Sequence, residues 1–151
     1  MATSDGSGPR AGATTAPPQV RAVVIDDSRF QCSALRQMLR HRFGDQVRVE
    51  TYNEPQAALD HLGPDVDLLL LDWEMPGMDG AAVLEEARAR GVPLKRVIIR
   101  SSHSAEELHR RFDHCGCLAV IEKGEAEQGA AFLMILDGIV RRASRKEGTT
   151  G

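Results

Sequence analysis

Three acidic residues, Asp26, Asp27 and Asp72, stand at the ends of apolar runs, and Asp72 closes the most apolar of them, Leu68-Leu69-Leu70-Leu71. Brought into one crevice, three carboxylates repel one another, and full ionisation is costly without a counter-charge. A divalent cation supplies it: oxygen-only ligands with no His or Cys beside them favour Mg2+ or Mn2+ over Zn2+, with water filling the remaining positions. Lys123 adds a mobile ammonium, and Ser101, followed by Ser102, adds a hydroxyl donor for an incoming oxyanion. A carboxylate nucleophile, a divalent ion, an ammonium and a hydroxyl together make up what phosphoryl transfer to an aspartate requires. Asp72 is the nucleophile in this reading, attacking in line while the ion and Lys123 neutralise charge on the transferring group.

These residues meet only if the chain folds to bring distant strand ends together. Apolar runs alternate with stretches of helical period. Strands are expected over residues 23–25, 47–51, 66–71, 96–100 and 118–121, the third being the most buried. Between them, a helix capped near Ser28 and closed at Gly44 carries Leu35, Met38, Leu39 and Phe43 on one face. Further helices are expected over 57–62, through Ala81, Val83, Leu84 and Ala87, over 105–112, and through Phe132, Leu136, Ile139 and Val140. Strict alternation predicts an α/β fold, a doubly wound (βα)5 unit with a five-stranded parallel sheet and right-handed crossovers. All strand carboxyl ends then share one edge, where such sheets place their chemistry. Asp26, Asp27, Asp72, Ser101, Ser102 and Lys123 fall on that edge.

The 151 residues suit one domain of ordinary size with tails. Residues 1–19 hold almost no large apolar side chain and read as a flexible tail, as do residues 144–151; the domain proper is 20–143. Net charge is −3, but residues 141–151 carry +3 and the first 20 are neutral, so the body carries −6. That balance argues against a nucleic-acid-binding surface. Three cysteines, Cys32, Cys115 and Cys117, without a framework spacing fit a reducing cytoplasm, and no apolar run approaches the ~20 residues of a membrane-spanning helix.

Asp26-Asp27, Asp72 followed by Met75-Pro76-Gly77-Met78-Asp79-Gly80, Ser101 and Lys123 together resemble the receiver domain of bacterial two-component response regulators, and the segment from Asp72 is similar to single-domain, CheY-like receivers. The resemblance covers roughly residues 20–143 and implies a flavodoxin/CheY-like sheet in order 2-1-3-4-5. It implies Asp72 as phosphoacceptor, Asp27 as a direct metal ligand and Asp26 acting through metal-bound water. It further implies the backbone carbonyl of Glu74 as a ligand, Ser101 as switch hydroxyl and Lys123 as phosphate partner. The phosphodonor implied is a histidine kinase or phosphotransfer protein. The chain is then a stoichiometric phosphoacceptor with slow autodephosphorylation, signalling through an output protein as a monomer or a phosphorylation-dependent homodimer.

Some positions depart from the family pattern. Gly124 follows Lys123 where Pro is common, which loosens the loop, and Val120 stands where an aromatic ring usually reads out the switch. His109 and Phe112 lie nearby, Phe112 reading as core. Glu74 and His103 occupy positions that tune phosphate lifetime in the family; His103 approaching Glu74 over the site entrance is weighed against two independent solvated side chains. Cys115-Gly116-Cys117 reads as small packed side chains ahead of a soft-metal site. Arg141, Arg142, Arg145 and Lys146 complement the dipole of the last helix. Rival readings are a phosphate-independent interaction module of the same fold, a receiver cut from a longer regulator, and a Mg2+-dependent phosphatase; Glu74 stands where the phosphatase needs a second aspartate.

Overall fold

The computed structural model describes residues 20–102, 106, 107, 110, 116, 117, 119–123 and 130–150. Its five strands are β1 (Val20–Ile25), β2 (Val47–Tyr52), β3 (Leu68–Asp72), β4 (Val97–Ser101) and β5 (Ala119–Glu122). All pair in parallel, in the order β2-β1-β3-β4-β5. The expected α/β fold and strand order are both present. The order reverses between β1 and β3, the switch point where such sheets open a crevice beyond their strand ends.

Period-two alternation divides the sheet into two cores. Ala22, Val24, Leu68, Leu70 and Ile98 pack under α1 (Arg29–Phe43) and the C-terminal helix (Ala130–Thr150) with Leu35, Leu39, Phe132 and Leu136. Val23, Ile25, Leu69, Leu71, Val97 and Ile99 face the other side with Ala58 of α2 (Pro55–Leu59) and Val83 and Ala87 of α3 (Gly80–Ala89). Every residue of β3 is buried, as expected for a strand covered on both faces.

Local chemistry sets the helix ends that flank the crevice. The Ser28 hydroxyl accepts from the Gln31 N–H and caps α1, and the Asp79 carboxylate accepts from the Ala82 N–H and caps α3. Gly44 ends α1 with φ +59°, a conformation glycine adopts without a Cβ clash.

Several boundaries differ from the sequence expectation. The first strand starts at Val20, because β2 runs alongside it from Val47 and supplies partners. The second helix covers Pro55–Leu59, with Pro at its first turn, where its missing N–H goes unused. Val66 is buried but outside the ladder, its N–H bonded to the Gly63 carbonyl, so β3 begins at Leu68. The tail expected from Ser144 is helical to Thr150. Ser, Arg, Lys and Glu extend a preceding helix at little cost, and no Pro interrupts them. Of the helix expected over 105–112, residues 106, 107 and 110 are described and are helical. His103, His109, Phe112, Cys115 and Gly124 lie outside the described residues, as does the expected tail 1–19. Among the described residues, no helix is long and apolar enough to cross a membrane.

Candidate functional site

Strand register builds the site. Ala22, Val24 and then Asp26 share one face with Leu68, Leu70 and Asp72, because successive side chains alternate and β1 pairs β3 as Val24 with Leu70 and Ile25 with Leu71. Asp72 pairs Arg100 on β4, and Arg100 pairs Ile121 on β5, two residues before Lys123. Asp26, Asp72, Arg100 and Lys123 thus stand in adjoining rows on the α1 side of the crevice.

Asp26 and Asp72 are each 1% exposed, whereas Asp27 is exposed. One carboxylate oxygen of each of the three lies within 4.8 Å of the others. Asp72 Oδ1 meets the Lys123 Nζ at 2.7 Å and accepts from the Glu74 N–H at 3.2 Å. Asp72 Oδ2 is buried and has no hydrogen-bond partner. Burial is the main cause that pushes the Asp72 carboxyl up to about 6; the Lys123 ammonium opposes it and the Asp26 charge adds to it. A bare, buried carboxylate oxygen beside two further carboxylates is a cation-shaped deficit, and this hard, all-oxygen donor set fits Mg2+.

The Glu74 side chain closes the opposite wall. Its carboxylate accepts from the hydroxyl of Ser101, from the Ser102 N–H at 3.0 Å and from the Ser102 hydroxyl at 3.2 Å, with Lys123 Nζ 3.8 Å away. Burial works against its ionisation, but these donors outweigh burial and hold its pKa below the usual glutamate value. Ser101 is fully buried, and its carbonyl accepts from the Lys123 N–H at 2.7 Å, which ties β4 to the lysine loop.

Asp72, Asp26, Asp27, Ser101 and Lys123 therefore converge as the sequence suggests. The Glu74 side chain, expected at the site entrance, places its carboxylate on Ser101 and Ser102. One further participant carries no expectation from the sequence. Arg100 is fully buried, and its Nη1 donates to Asp26 Oδ2 at 2.7 Å and its Nη2 to Gln31 Oε1 at 3.1 Å. The available signal was parity: Ile98 and Arg100 share a face, and a cation on a buried face must find an acid. Cys32 supports the floor, its thiol donating to the Asp26 carbonyl; burial pushes that thiol up to about 11, so it remains a protonated donor.

Comparison with known proteins places this arrangement in a family. The model of the response regulator receiver domain matches residues 22–130. Protein-glutamate methylesterase/protein-glutamine glutaminase 5 of Myxococcus xanthus is 33% identical over 110 residues, covering 71% of this chain and 31% of that protein. The chain thus spans about a third of the length of that relative. A response regulator receiver protein from Burkholderia phymatum superposes with a TM-score of 0.65 at 25% identity, covering 81% of this chain and 95% of that one. The response regulator TrrA of Thermotoga maritima, in complex with Mg2+-BeF, shares the fold with a TM-score of 0.64 at 20% identity, over 80% of this chain and 99% of that one. With a matching family model over most of its length and the receiver sheet order beneath the carboxylates, this chain belongs to the response regulator receiver domain family of two-component signalling.

Proposed function

We propose that Asp72 accepts a phosphoryl group from a phosphohistidine of a histidine kinase or phosphotransfer protein, and that the phosphorylated form changes its binding to an output protein. A carboxylate oxygen of Asp72 attacks phosphorus, the phosphorus–nitrogen bond of the donor breaks, and the released imidazole keeps the nitrogen electron pair and takes a proton. The observation that carries this reading is the buried Asp72 carboxylate, held on one oxygen by Lys123 and the Glu74 amide and bare on the other. Lys123, already on Asp72, stays with the transferred group's oxygens, and the Ser101 hydroxyl and Ser102 N–H are donors for the same oxyanion once Glu74 yields them.

Asp27 and Asp72, the Glu74 main-chain carbonyl and, through water, Asp26 would hold Mg2+, which the complex of TrrA with Mg2+-BeF supports by analogy. When bound, the ion offsets negative charge between the donor and Asp72. The chain is a stoichiometric acceptor, and slow hydrolysis of its acyl phosphate resets it.

A second reading has one observation in its favour. Glu74 already places a carboxylate on Ser101 and Ser102, as a receiver-fold module working without phosphate would require. Intact-mass measurement after incubation with Mg2+ and acetyl phosphate separates the two. Wild type gains one phosphoryl group, about 80 Da, and Asp72→Asn gains nothing; an unshifted wild type supports the module. A pulldown comparing beryllofluoride-treated with untreated protein then identifies the partner of the switched state.

A further inference from the structure

The fully buried guanidinium of Arg100 has no part in the phosphoryl transfer described above, yet it lies in the row that carries the chemistry. The register puts Asp26, Asp72 and Arg100 on the same face, and Arg100 reaches past the strand that carries Asp72 to grip Asp26 at 2.7 Å. Gln31, one turn into the helix that Ser28 caps, takes another of its N–H groups and fixes the fork. Three carboxylates thus meet two cations supplied by the chain itself, Lys123 on Asp72 and Arg100 on Asp26.

Arg100 and Lys123 leave the carboxylates unequal. Both Asp26 oxygens are engaged, Oδ2 by Arg100 and Oδ1 by the Ser28 N–H at 2.9 Å, whereas Asp72 Oδ2 is bare. Direct coordination of an ion by Asp26 would draw charge and position away from its bond to a guanidinium with no exposure to water, a cost that a bridging water avoids. A second fixed positive charge in the pocket also repels any incoming divalent ion.

We infer that Arg100 is a resident counter-charge of the acidic pocket, keeping Asp26 bonded to itself and lowering the pocket's affinity for a divalent cation. Arg100 is a positioning residue: it acts through Asp26 and on the ion's affinity, without touching the phosphoryl group. The inference rests on the proposal that Asp27 and Asp72 hold Mg2+.

Mg2+ titration of the full chain tests it, read by calorimetry and by fluorescence of Trp73, the single tryptophan, which follows Asp72 in sequence. Arg100→Met, which keeps the length and loses the charge, is expected to bind Mg2+ about tenfold more tightly than wild type, and Arg100→Lys to stay within about threefold of it. On wild type itself, the Arg100 side-chain N–H signals in heteronuclear NMR should remain protected from water exchange at saturating Mg2+, because Asp26 keeps its partner. That measurement does not depend on whether a variant folds. Unchanged or weaker Mg2+ binding by folded Arg100→Met, or loss of that protection when Mg2+ is added to wild type, overturns the role of Arg100 and leaves the metal site standing. Failure of both wild type and Arg100→Met to bind Mg2+ overturns the two together.

Discussion

Asp72 is held in a state that costs the metal-free protein stability. Its carboxyl is pushed from the ordinary 3.8 to about 6, chiefly by burial, so between those two pH values the folded protein holds a proton there that the unfolded chain has lost. Below pH 3.8 both states are protonated and the penalty vanishes; as pH rises through about 6 the folded state must ionise a buried group. Asp72→Asn removes that charge and is expected to stabilise the protein in EDTA at pH 7.5 by about 2–3 kcal/mol, with the gain disappearing by about pH 4. Denaturant melts of the two proteins at both pH values check this, and an equal gain at both would contradict it. The Glu74 carboxylate occupies the Ser101 and Ser102 donors and sits 3.8 Å from Lys123, so it opposes an anionic donor by charge and by place. Glu74→Ala is expected to speed phosphorylation by acetyl phosphate by about three- to tenfold in a stopped time course; a slower variant would mean that Glu74 assists. The five residues legible in the sequence stand at or just past strand ends, where polar residues after apolar runs are conspicuous. Arg100 sits inside a strand, and its acid partner lies 74 positions away, a separation that only register reveals.

Among the elements, the connection from β3 to α3 ties down the backbone that follows Asp72. Trp73 donates its N–H to the Arg100 carbonyl, and its own carbonyl accepts from Gly80 at the start of α3. A Cβ on Gly80 would lie 2.8 Å from the Trp73 Cα, so backbone would have to move. Gly80→Ala is expected to destabilise the protein by about 1–3 kcal/mol and to shift the fluorescence of Trp73 beside Asp72. A neutral melt with unshifted fluorescence would show that this turn is not under the constraint described. The sheet was legible because four of its strands are apolar runs with turn signals on either side. The start of α2 was not, because the periodic apolar pattern begins two residues after Pro55, which needs no apolar neighbour to open a helix. The end of the C-terminal helix lies beyond the expected one for a related reason: a polar segment containing Gly148 reads as a tail, yet a single Gly costs only about 1 kcal/mol in a helix already nucleated.

For the whole molecule, two apolar layers clamp a sheet whose carboxyl edge carries nearly all the chemistry. The strands rise out of cores in which Leu68 to Leu71 and Val97 to Ile99 are without exposure, so the spacing between Asp26, Asp72, Arg100 and Ser101 is set by close-packed backbone. The donors and acceptors at the sheet's edge, Lys123, Glu74 and Ser102, stand on that close-packed floor, so the proposed switch requires only that their hydrogen bonds be exchanged there, with the sheet left in place. On the proposed function, Asp72 is the side chain that takes the phosphoryl group. Treating the protein with Mg2+ and acetyl phosphate, trapping the acyl phosphate with borohydride and sequencing the peptides by mass spectrometry reads the acceptor directly. Homoserine is expected in place of the aspartate at position 72 and at no other carboxylate. Conversion at another position, or no conversion in protein that binds Mg2+, would contradict it.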